Sequence, residues 1–589
     1  MLKHNIYPAY PVTGGALRQG YPAIADAVRT QPAVWVCDGA SAVDWESFHA
    51  GLQTALAEDS HAVLQANFLS IQPAHIGADA GRALLESYLE IDDPSYGRLY
   101  DGSLADFFDP SRMGALAEEV RLLRESGNSV VVYGTGSSLL PLAGLQAKSI
   151  HTVWVDLPYE TIRSLSELKE IPSLAGYTPL SEKFLTNLDY PVLDRQRAAL
   201  LPGLAIYVDF SSPQDPLILS GAALRSSLHH LAQAPFRVVP AVYTSMWGGQ
   251  YLVSQVPGLK EKPRCSHFYS LFPPVNSLLL DGDGLQIELP FELLMHLESK
   301  AVQGLELSGA FASRMPVRFT LMDTLGGQTL SHQIHPGRSQ ARSFFNTDFD
   351  EPETYFLLDT APGGLVYLGL RDDSSPGEFR RSVERAQDEQ IGFELGDYVN
   401  TFPTRPGMAI HVPARMVHNA GANNLILEVT THPIGHTYRI YDFMRRTGDG
   451  KLRPLHVKQA FTCLDEKRNR SWIDQKGLFM QPKTVAQGED WQVRRLSSPP
   501  LTKFVNDEIT FTSSYADTTG GESFHLLLSV QGDDLRLEGQ GFSHPLHQYE
   551  LIIIPAAAGE YRLVNDEGGP CRVFKVYVSS LEEYLSAEL

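Results

Sequence analysis

The feature that most constrains this fold is a change in hydrophobic patterning near residue 236. Upstream, short apolar runs at 33–37, 129–133 and 152–156 alternate with segments of helical spacing, and each run ends in a glycine or aspartate turn. This alternation predicts a parallel α/β sheet. Downstream, short strand-like runs bounded by Gly, Pro, Asn or Asp predominate. That second pattern predicts jelly-roll barrels.

Three domains follow from this pattern. We expect an α/β domain at 1–235, a first barrel with a helical insertion at 236–480, and a second barrel at 481–589. Helical spacing predicts helices at 46–58, 222–232, 291–301 and 378–390.

Composition excludes several classes of protein. Hydrophobic residues make up 43% of the chain, which is enough to form a core and argues against wholesale disorder. The net charge of −21 argues against nucleic-acid or anionic-membrane partners, because both require a basic surface. Four cysteines without paired spacing favour neither a disulfide framework nor a cysteine-rich zinc site. With no apolar membrane span or secretory signal evident, we expect a cytoplasmic protein.

A group of histidines downstream has the spacing of metal ligands. Gln333 and His335 lie two residues apart, which places them on one face of a strand. Glu353 begins an apolar run, and His418 follows later in the chain. Two imidazoles, a carboxylate and an amide oxygen form an open site suited to Zn²⁺ or a similar divalent ion. The alternative is a set of unrelated surface and turn histidines.

Several collinear motifs resemble those of class I mannose-6-phosphate isomerases, which are zinc-dependent cupin enzymes. The motifs are Trp-Gly-Gly-Gln-Tyr-Leu at 247–252, Leu-Ser-His-Gln-Ile-His-Pro at 330–336, the stretch 406–418, Thr-Tyr-Arg-Ile-Tyr-Asp at 437–442, and Leu-Arg-Pro-Leu-His at 452–456. The resemblance extends over about 236–589 and implies a double-cupin (jelly-roll) isomerase fold. It also implies that Gln333, His335, Glu353 and His418 bind one zinc ion, and that Arg439 faces the substrate.

Two departures from the family pattern concern activity more than fold. Glu351 stands where the family commonly has a lysine, and no acid precedes Thr437 in the stretch 432–436. His436, Glu351, Arg338 and Arg415 are therefore candidates to replace the groups that handle the proton and the phosphate. We name His436 as the candidate general base.

The N-terminal domain resembles a uridine-kinase-like P-loop domain that has lost its phosphate chemistry. A strand, a turn at Gly39 and a helix occur in the order of a P-loop. Counting from Gly39, the last three positions are Asp44, Trp45 and Glu46, where a working loop has glycine, lysine and a hydroxyl residue. The two carboxylates would repel a triphosphate. The alternative is an ordinary α/β domain in which Gly39 serves a turn.

Two functional hypotheses follow. The first is a metal-dependent aldose–ketose isomerase that interconverts mannose 6-phosphate and fructose 6-phosphate or a related sugar. The second is a sugar-binding or regulatory cupin protein that has lost catalysis. Both imply a small sugar or sugar-phosphate partner, and both leave the oligomeric state open. We expect the second barrel to carry no metal, with His544 and His547 on a loop.

Overall fold

The chain forms two compact units. A computed structural model describes residues 5–30, 33–58, 66–88, 96–146, 149–431, 436–448, 450–532 and 535–587. One unit, here the N-terminal unit, comprises Ala9–Leu231 and Ser277–Glu298. The other, here the β unit, comprises Met1–Pro8, Ala232–Asn276 and Ser299–Leu589. No helix of the described residues is long and apolar enough to cross a membrane.

The N-terminal unit is built on a seven-stranded sheet. Its strands, in spatial order, are Arg18–Gln19, Leu217–Ser220, Ile206–Asp209, Ile150–Asp156, Val34–Gly39, Ser129–Tyr133 and Ala66–Ser70. The last five are parallel, as the sequence predicts, and run 5-4-1-3-2 when numbered along the chain. The strand Val34–Gly39 extends through Gly39. Asp38 and Gly39 therefore pair within the sheet rather than forming the predicted turn.

Helices connect these strands, and their starts follow from capping residues. Asp44 caps the helix Trp45–Ala57 by accepting the backbone N–H of Ser47 at 3.0 Å, which satisfies one donor of the first turn. Phe48, Leu52 and Ala55 form the buried face of this helix. The helices of the unit before residue 277 are Pro22–Thr30, Trp45–Ala57, Ala78–Leu84, Pro110–Glu125, Tyr159–Leu168, Glu182–Phe184, Tyr190–Leu200 and Gly221–Leu231.

A segment from the middle of the chain also belongs to the N-terminal unit. Strand Ala9–Pro11 pairs in parallel with Ser277–Gly282, which forms a hairpin with Leu285–Pro290. The following helix, Phe291–Gln303, corresponds to the helix predicted at 291–301. The division into domains at 235 and 480 stays a prediction.

Two packed sheets form the first part of the β unit. The seven-stranded sheet runs in spatial order Phe479–Met480, Ala409–Val412, Glu353–Thr360, Asn424–Thr431, Val317–Asp323, His267–Leu271 and Ala241–Tyr243. The five-stranded sheet runs Val399–Pro403, Leu365–Leu370, His418–Ala420, His332–Ile334 and Tyr438–Tyr441. Buried side chains of both sheets, including Tyr355, Met322, Val366 and Leu368, share one apolar core. The helices of this part are Tyr251–Gln255, Leu305–Phe311, Arg338–Phe345, Pro376–Asp388, Val457–Cys463 and Arg470–Lys476.

Residues 483–577 form a second pair of antiparallel sheets. The six-stranded sheet runs Lys483–Gln487, Trp491–Ser497, Val505–Phe511, Cys571–Tyr577, His525–Gln531 and Leu551–Ile554. The four-stranded sheet runs Ser514–Thr518, Glu560–Asn565, Leu535–Gly539 and Phe542–Leu546, and the helix Leu581–Ser586 follows. The loop prediction is wrong for His544, which pairs with Leu537 inside a strand. Phe542 and Leu546 pack into the core from the same strand, and this burial outweighs the turn tendency of Ser543 and Pro545.

Candidate metal centre

Strand register brings three of the predicted site residues into one row of the five-stranded sheet. Gln333 lies directly opposite His418 on one side and opposite Arg439 on the other. Directly opposed residues of antiparallel strands project from the same face. The side chains of Gln333, His418 and Arg439 therefore start from one face of this sheet.

His335, Glu353 and His418 converge at this face. Glu353 begins a strand of the seven-stranded sheet, and His335 follows the strand that carries Gln333. One ligand atom from each of the three residues lies within 4.8 Å of the others. His335 Nε2 is 2.9 Å and His418 Nε2 is 3.2 Å from the Glu353 carboxylate. All three side chains are at most 2% exposed.

Contacts at the outer nitrogens orient both imidazoles toward the centre. His418 Nδ1 lies 2.9 Å from the carbonyl oxygen of Met416. Because a carbonyl only accepts, His418 Nδ1 carries the hydrogen and Nε2 keeps its lone pair. His335 Nδ1 faces the carboxylate of Glu351 at 3.3 Å, which leaves His335 Nε2 toward Glu353. Both rings thus present Nε2 to the same point.

The polar atoms at this point fit a metal ion. His335 Nε2 and Glu353 Oε2 are buried, and neither makes a geometrically sound hydrogen bond with any residue that the structure describes. The Gln333 amide lies 3.3 Å from His418 Nε2, and a 180° turn of that amide would present its oxygen. Two imidazole nitrogens, a carboxylate and an amide oxygen are ligands that Zn²⁺ accepts. The buried, unsatisfied atoms therefore match the donor set that the sequence predicts.

The surrounding charges also fit a divalent cation. Arg318 lies 2.7 Å from Glu351 and 3.4 Å from Glu428, and all three side chains are at most 9% exposed. With Glu353, this cluster holds three carboxylates against one guanidinium. Burying unpaired charge is costly, so a cluster rich in buried carboxylates suits a bound cation.

The electrostatics of the metal-free cluster shift several pKa values. Burial opposes ionisation of Glu351, but His335 and Arg318 lower its pKa to about 2. Burial likewise opposes protonation of His335, yet Glu351 and Glu353 raise its pKa well above the usual value. Burial, together with the charge of Glu353, raises the pKa of Glu428 to about 8. A proton on His335 thus occupies the place between carboxylates that a cation would take.

His436 and Arg439 lie beside this cluster. The backbone N–H of His436 donates to Glu351 at 2.9 Å, and its ring stacks on Phe345 at 4.0 Å. Burial lowers the pKa of His436 to about 4. Arg439 donates from Nη1 to the carbonyl of Pro454 at 2.6 Å. Residues 432–435, which the sequence comparison singles out for lacking an acid, lie outside the described residues.

Three other arginines, Arg338, Arg342 and Arg415, flank the metal motifs in the sequence and could bind phosphate. Arg342 is 64% exposed and forms an ion pair with Asp348. Arg415 donates from Nε to the carbonyl of Cys463 at 3.1 Å, and its backbone N–H donates to His335 at 2.8 Å. Arg338 begins the helix that follows His335 and is half-buried. The backbone N–H of Arg415 therefore holds the backbone of His335, a candidate metal ligand, independently of what the Arg415 guanidinium contacts.

Sequence reasoning missed Arg318, the guanidinium of the cluster. An arginine within the otherwise apolar strand Val317–Asp323 is the signal that could have identified it, because such a residue is buried only when it is paired. Glu351 stands where the resembling family commonly has a lysine, so it reverses the charge at that position. In the structure, Arg318 neutralises it at 2.7 Å.

Two carboxylates lie around the turn that follows the strand Val34–Gly39, where a P-loop would bind phosphate. Asp38 is fully buried and accepts the backbone N–H groups of Gly39 and Gly136 at 2.7 Å. It also accepts the N–H of Ser138 at 3.1 Å. Asp44 occupies the start of the next helix as its cap. Backbone donors that could bind phosphate are therefore already engaged within the chain.

One family model matches part of the chain, and several curated proteins are similar to it in sequence. Residues 20–233 match a family described as a domain of unknown function (DUF8485). Mannose-6-phosphate isomerase ManA of Bacillus subtilis is 27% identical over 250 residues, which make up 42% of this chain and 72% of that protein. The mannose-6-phosphate isomerase of Streptococcus mutans is 21% identical over 248 residues, or 41% of this chain and 73% of the relative. A putative mannose-6-phosphate isomerase, YvyI of Bacillus subtilis, is 22% identical over 346 residues, which cover 56% of this chain and 96% of that protein.

Solved structures include a mannose 6-phosphate isomerase from Bacillus subtilis, with a TM-score of 0.47 and 17% sequence identity. The alignment covers 59% of this chain and 100% of that structure. The chain is thus similar in sequence to mannose-6-phosphate isomerases.

Proposed function

We propose that this protein is a metal-dependent aldose–ketose isomerase of the mannose-6-phosphate isomerase type. It would interconvert mannose 6-phosphate and fructose 6-phosphate, or a related pair of sugars. The observation that carries the proposal is the convergence of His335, Glu353 and His418 at a buried point. Sequence similarity to three mannose-6-phosphate isomerases supports it.

The proposed metal ligands are His335 and His418 through Nε2, Glu353 through its carboxylate, and Gln333 through its amide oxygen. Zinc is the proposed ion, because this set matches its preference for nitrogen and oxygen donors and leaves room for water or substrate. When bound, such an ion polarises carbonyl and hydroxyl oxygens as a Lewis acid. The hydrogen bond of His418 to the Met416 carbonyl and the ion-pair contact of His335 with Glu351 would orient the two imidazoles toward it.

The reaction moves a proton between two adjacent carbons, so the chain must supply a group that takes and returns it. His436, the candidate base, is neutral near pH 7, but its pKa of about 4 makes it a weak one. Burial and the charge of Glu353 raise the pKa of Glu428, and we add this carboxyl group as a second candidate for the proton carrier. Removal of the proton leaves negative charge on the sugar, as an enediolate. Arg439 starts from the same face of the sheet as Gln333 and would stabilise that charge.

The proposed partner is a sugar carrying a phosphate dianion, with Arg439, Arg338 and Arg415 as candidate contacts. Such an anion pairs well with guanidinium groups. A cytoplasmic location, the double-cupin assignment and the degenerate kinase-like origin of the N-terminal unit remain part of the proposal. So does a C-terminal barrel without metal.

Turnover on a panel of sugars tests the proposal. Zinc-loaded protein should interconvert mannose 6-phosphate and fructose 6-phosphate, and His335→Ala should lose both stoichiometric zinc and turnover. His332→Gln is the control, because His332 is buried on the strand that precedes His335 and contacts Asn419 instead. Binding of a sugar without turnover by metal-replete protein would contradict the isomerase and favour a sugar-binding role.

A further inference from the structure

Three donors surround the carboxylate of Glu351, a fully buried residue two positions before Glu353. Its Oε1 lies 2.7 Å from the guanidinium of Arg318. Its Oε2 lies 3.3 Å from His335 Nδ1 and accepts the backbone N–H of His436 at 2.9 Å. Both oxygens are therefore engaged, and one of them faces the outer nitrogen of a proposed metal ligand.

The segment that carries Glu351 is itself held on both sides. Thr431 Oγ1 donates to the carbonyl of Asp350 at 2.7 Å, and Thr430 Oγ1 donates to that of Pro352 at 2.9 Å. Lys503, which is 4% exposed, lies 3.3 Å from the Asp350 carboxylate. These contacts fix the backbone on both sides of Glu351, so its carboxylate has a defined position relative to His335.

This geometry matters because a histidine ligand depends on what its second nitrogen contacts. A carboxylate at that nitrogen fixes the tautomer and the ring orientation and raises the basicity of the ligand. His418 has the carbonyl of Met416 at its outer nitrogen. The outer nitrogen of His335 has the Glu351 carboxylate at 3.3 Å, and the His436 carbonyl and Thr437 Oγ1 at 3.4 Å, so the carboxylate is its one charged contact among these. Arg318 contacts that carboxylate from the strand Val317–Asp323, which is separated from the strand Glu353–Thr360 by Asn424–Thr431.

We propose that Glu351, anchored by Arg318, is a positioning residue that orients His335 toward the metal. The inference rests on the metal centre of the proposed function. It also gives a role to the acid that stands where the resembling family commonly has a lysine. In this chain the position would serve the metal ligand rather than the substrate.

Metal affinity tests this assignment in Glu351→Gln. The substitution is isosteric but removes the charged acceptor of His335 Nδ1. We expect zinc affinity, measured by competition with a chelator, to fall about 10- to 100-fold. The visible absorption of the cobalt-substituted protein should also change, because the orientation of His335 does.

Glu550→Gln is the matched control. Glu550 is 4% exposed, forms an ion pair with Arg237 and accepts the backbone N–H of His547 at 3.0 Å. It therefore shares the chemistry of Glu351 without contacting His335. Zinc affinity of Glu351→Gln within about threefold of this control, with an unchanged cobalt spectrum, would overturn the proposal.

A double-variant cycle tests the part played by Arg318. Arg318→Met should weaken zinc binding in the wild-type background, because Glu351 loses an anchor. It should have little effect in the Glu351→Gln background if Arg318 acts through Glu351. Equal losses in both backgrounds would contradict this link. Circular dichroism of the zinc-free variants establishes that each is folded.

The two proposals fail in different ways. If wild-type protein binds zinc but turns over no sugar, the isomerase proposal fails and the role of Glu351 in metal affinity can still be measured. If wild-type protein is an active isomerase and Glu351→Gln binds zinc normally, the positioning role fails alone.

Discussion

The buried pair between Arg318 and Glu351 has a measurable cost when one partner is removed. Arg318→Met would leave the Glu351 carboxylate, which is 1% exposed, without its guanidinium at 2.7 Å. His335 Nδ1 and the backbone N–H of His436 would still contact it. Removing one member of a buried ion pair is strongly destabilising because the remaining charge stays out of water.

The size of the loss follows from the distance and the burial. At 2.7 Å and an effective dielectric constant of about 20, the Coulomb attraction is about 6 kcal/mol. Removal of one partner of a buried pair typically costs about 3–5 kcal/mol. Because Glu351 keeps two other donors, we expect a loss of about 3 kcal/mol in the free energy of unfolding for Arg318→Met.

The double variant Arg318→Met/Glu351→Gln should recover most of this loss. It removes both charges, and replacing a whole buried pair is often close to neutral. Glu428 also lies 3.4 Å from Arg318, but its pKa of about 8 keeps it largely protonated at a pH of about 6.5. Loss of Arg318 therefore leaves little charge uncompensated at Glu428 under that condition.

Urea unfolding at a pH of about 6.5, with a chelator present and followed by circular dichroism, measures the effect without metal linkage. We expect a coupling free energy of about 2 kcal/mol or more between the two substitutions. Additive losses, with coupling below about 0.5 kcal/mol, would refute the reasoning that the pair compensates buried charge.

Three further predictions concern the rest of the molecule. Calorimetry with Mg-ATP should detect no binding, because Asp44 caps the helix where a phosphate would lie and Glu46 adds charge; micromolar affinity would contradict this. Burial raises the pKa of Asp189 from 3.8 to about 7, so stability should fall by up to about 4 kcal/mol as pH rises between those values. Asp189→Asn should remove this pH dependence. Urea unfolding of both proteins at a pH of about 5 and of about 8 tests this. If the midpoint of the variant falls between the two pH values as much as that of wild type does, the assignment to Asp189 is wrong. If Arg439 or Arg415 contacts the phosphate, Arg439→Ala or Arg415→Ala should raise KM for the phosphosugar more than KM for the free sugar. Equal effects on both substrates would argue against a phosphate contact.

Local sequence patterns predicted many of the helices and strands, and they selected three side chains that converge in the structure. The apolar run at 129–133 corresponds to the strand Ser129–Tyr133, because a buried parallel strand requires apolar residues on both faces. His335, Glu353 and His418 were selected from motif spacing, and their side chains converge. Period-two spacing placed Gln333 and His335 on one face, whereas Glu353 and His418 were selected from the motifs around them.

Contacts between distant parts of the chain could not be predicted in this way. Arg318 and Glu351 lie on separate segments, and their pairing depends on the register of strands that no local pattern specifies. The membership of 277–298 in the N-terminal unit depends on pairing with Ala9–Pro11, which is equally non-local. His544 was assigned to a loop because Ser543 and Pro545 favour turns, whereas the core contacts of Phe542 and Leu546 determine its strand.

Titration of zinc into metal-free protein, with isomerisation of mannose 6-phosphate measured at each point, tests the central claim most directly. The account predicts that turnover rises linearly and stops rising at one equivalent of zinc. It also predicts that His335→Ala shows neither tight binding nor turnover at any ratio. Full turnover in the presence of excess chelator, or none on any sugar at one bound equivalent, would contradict a metal-dependent isomerase.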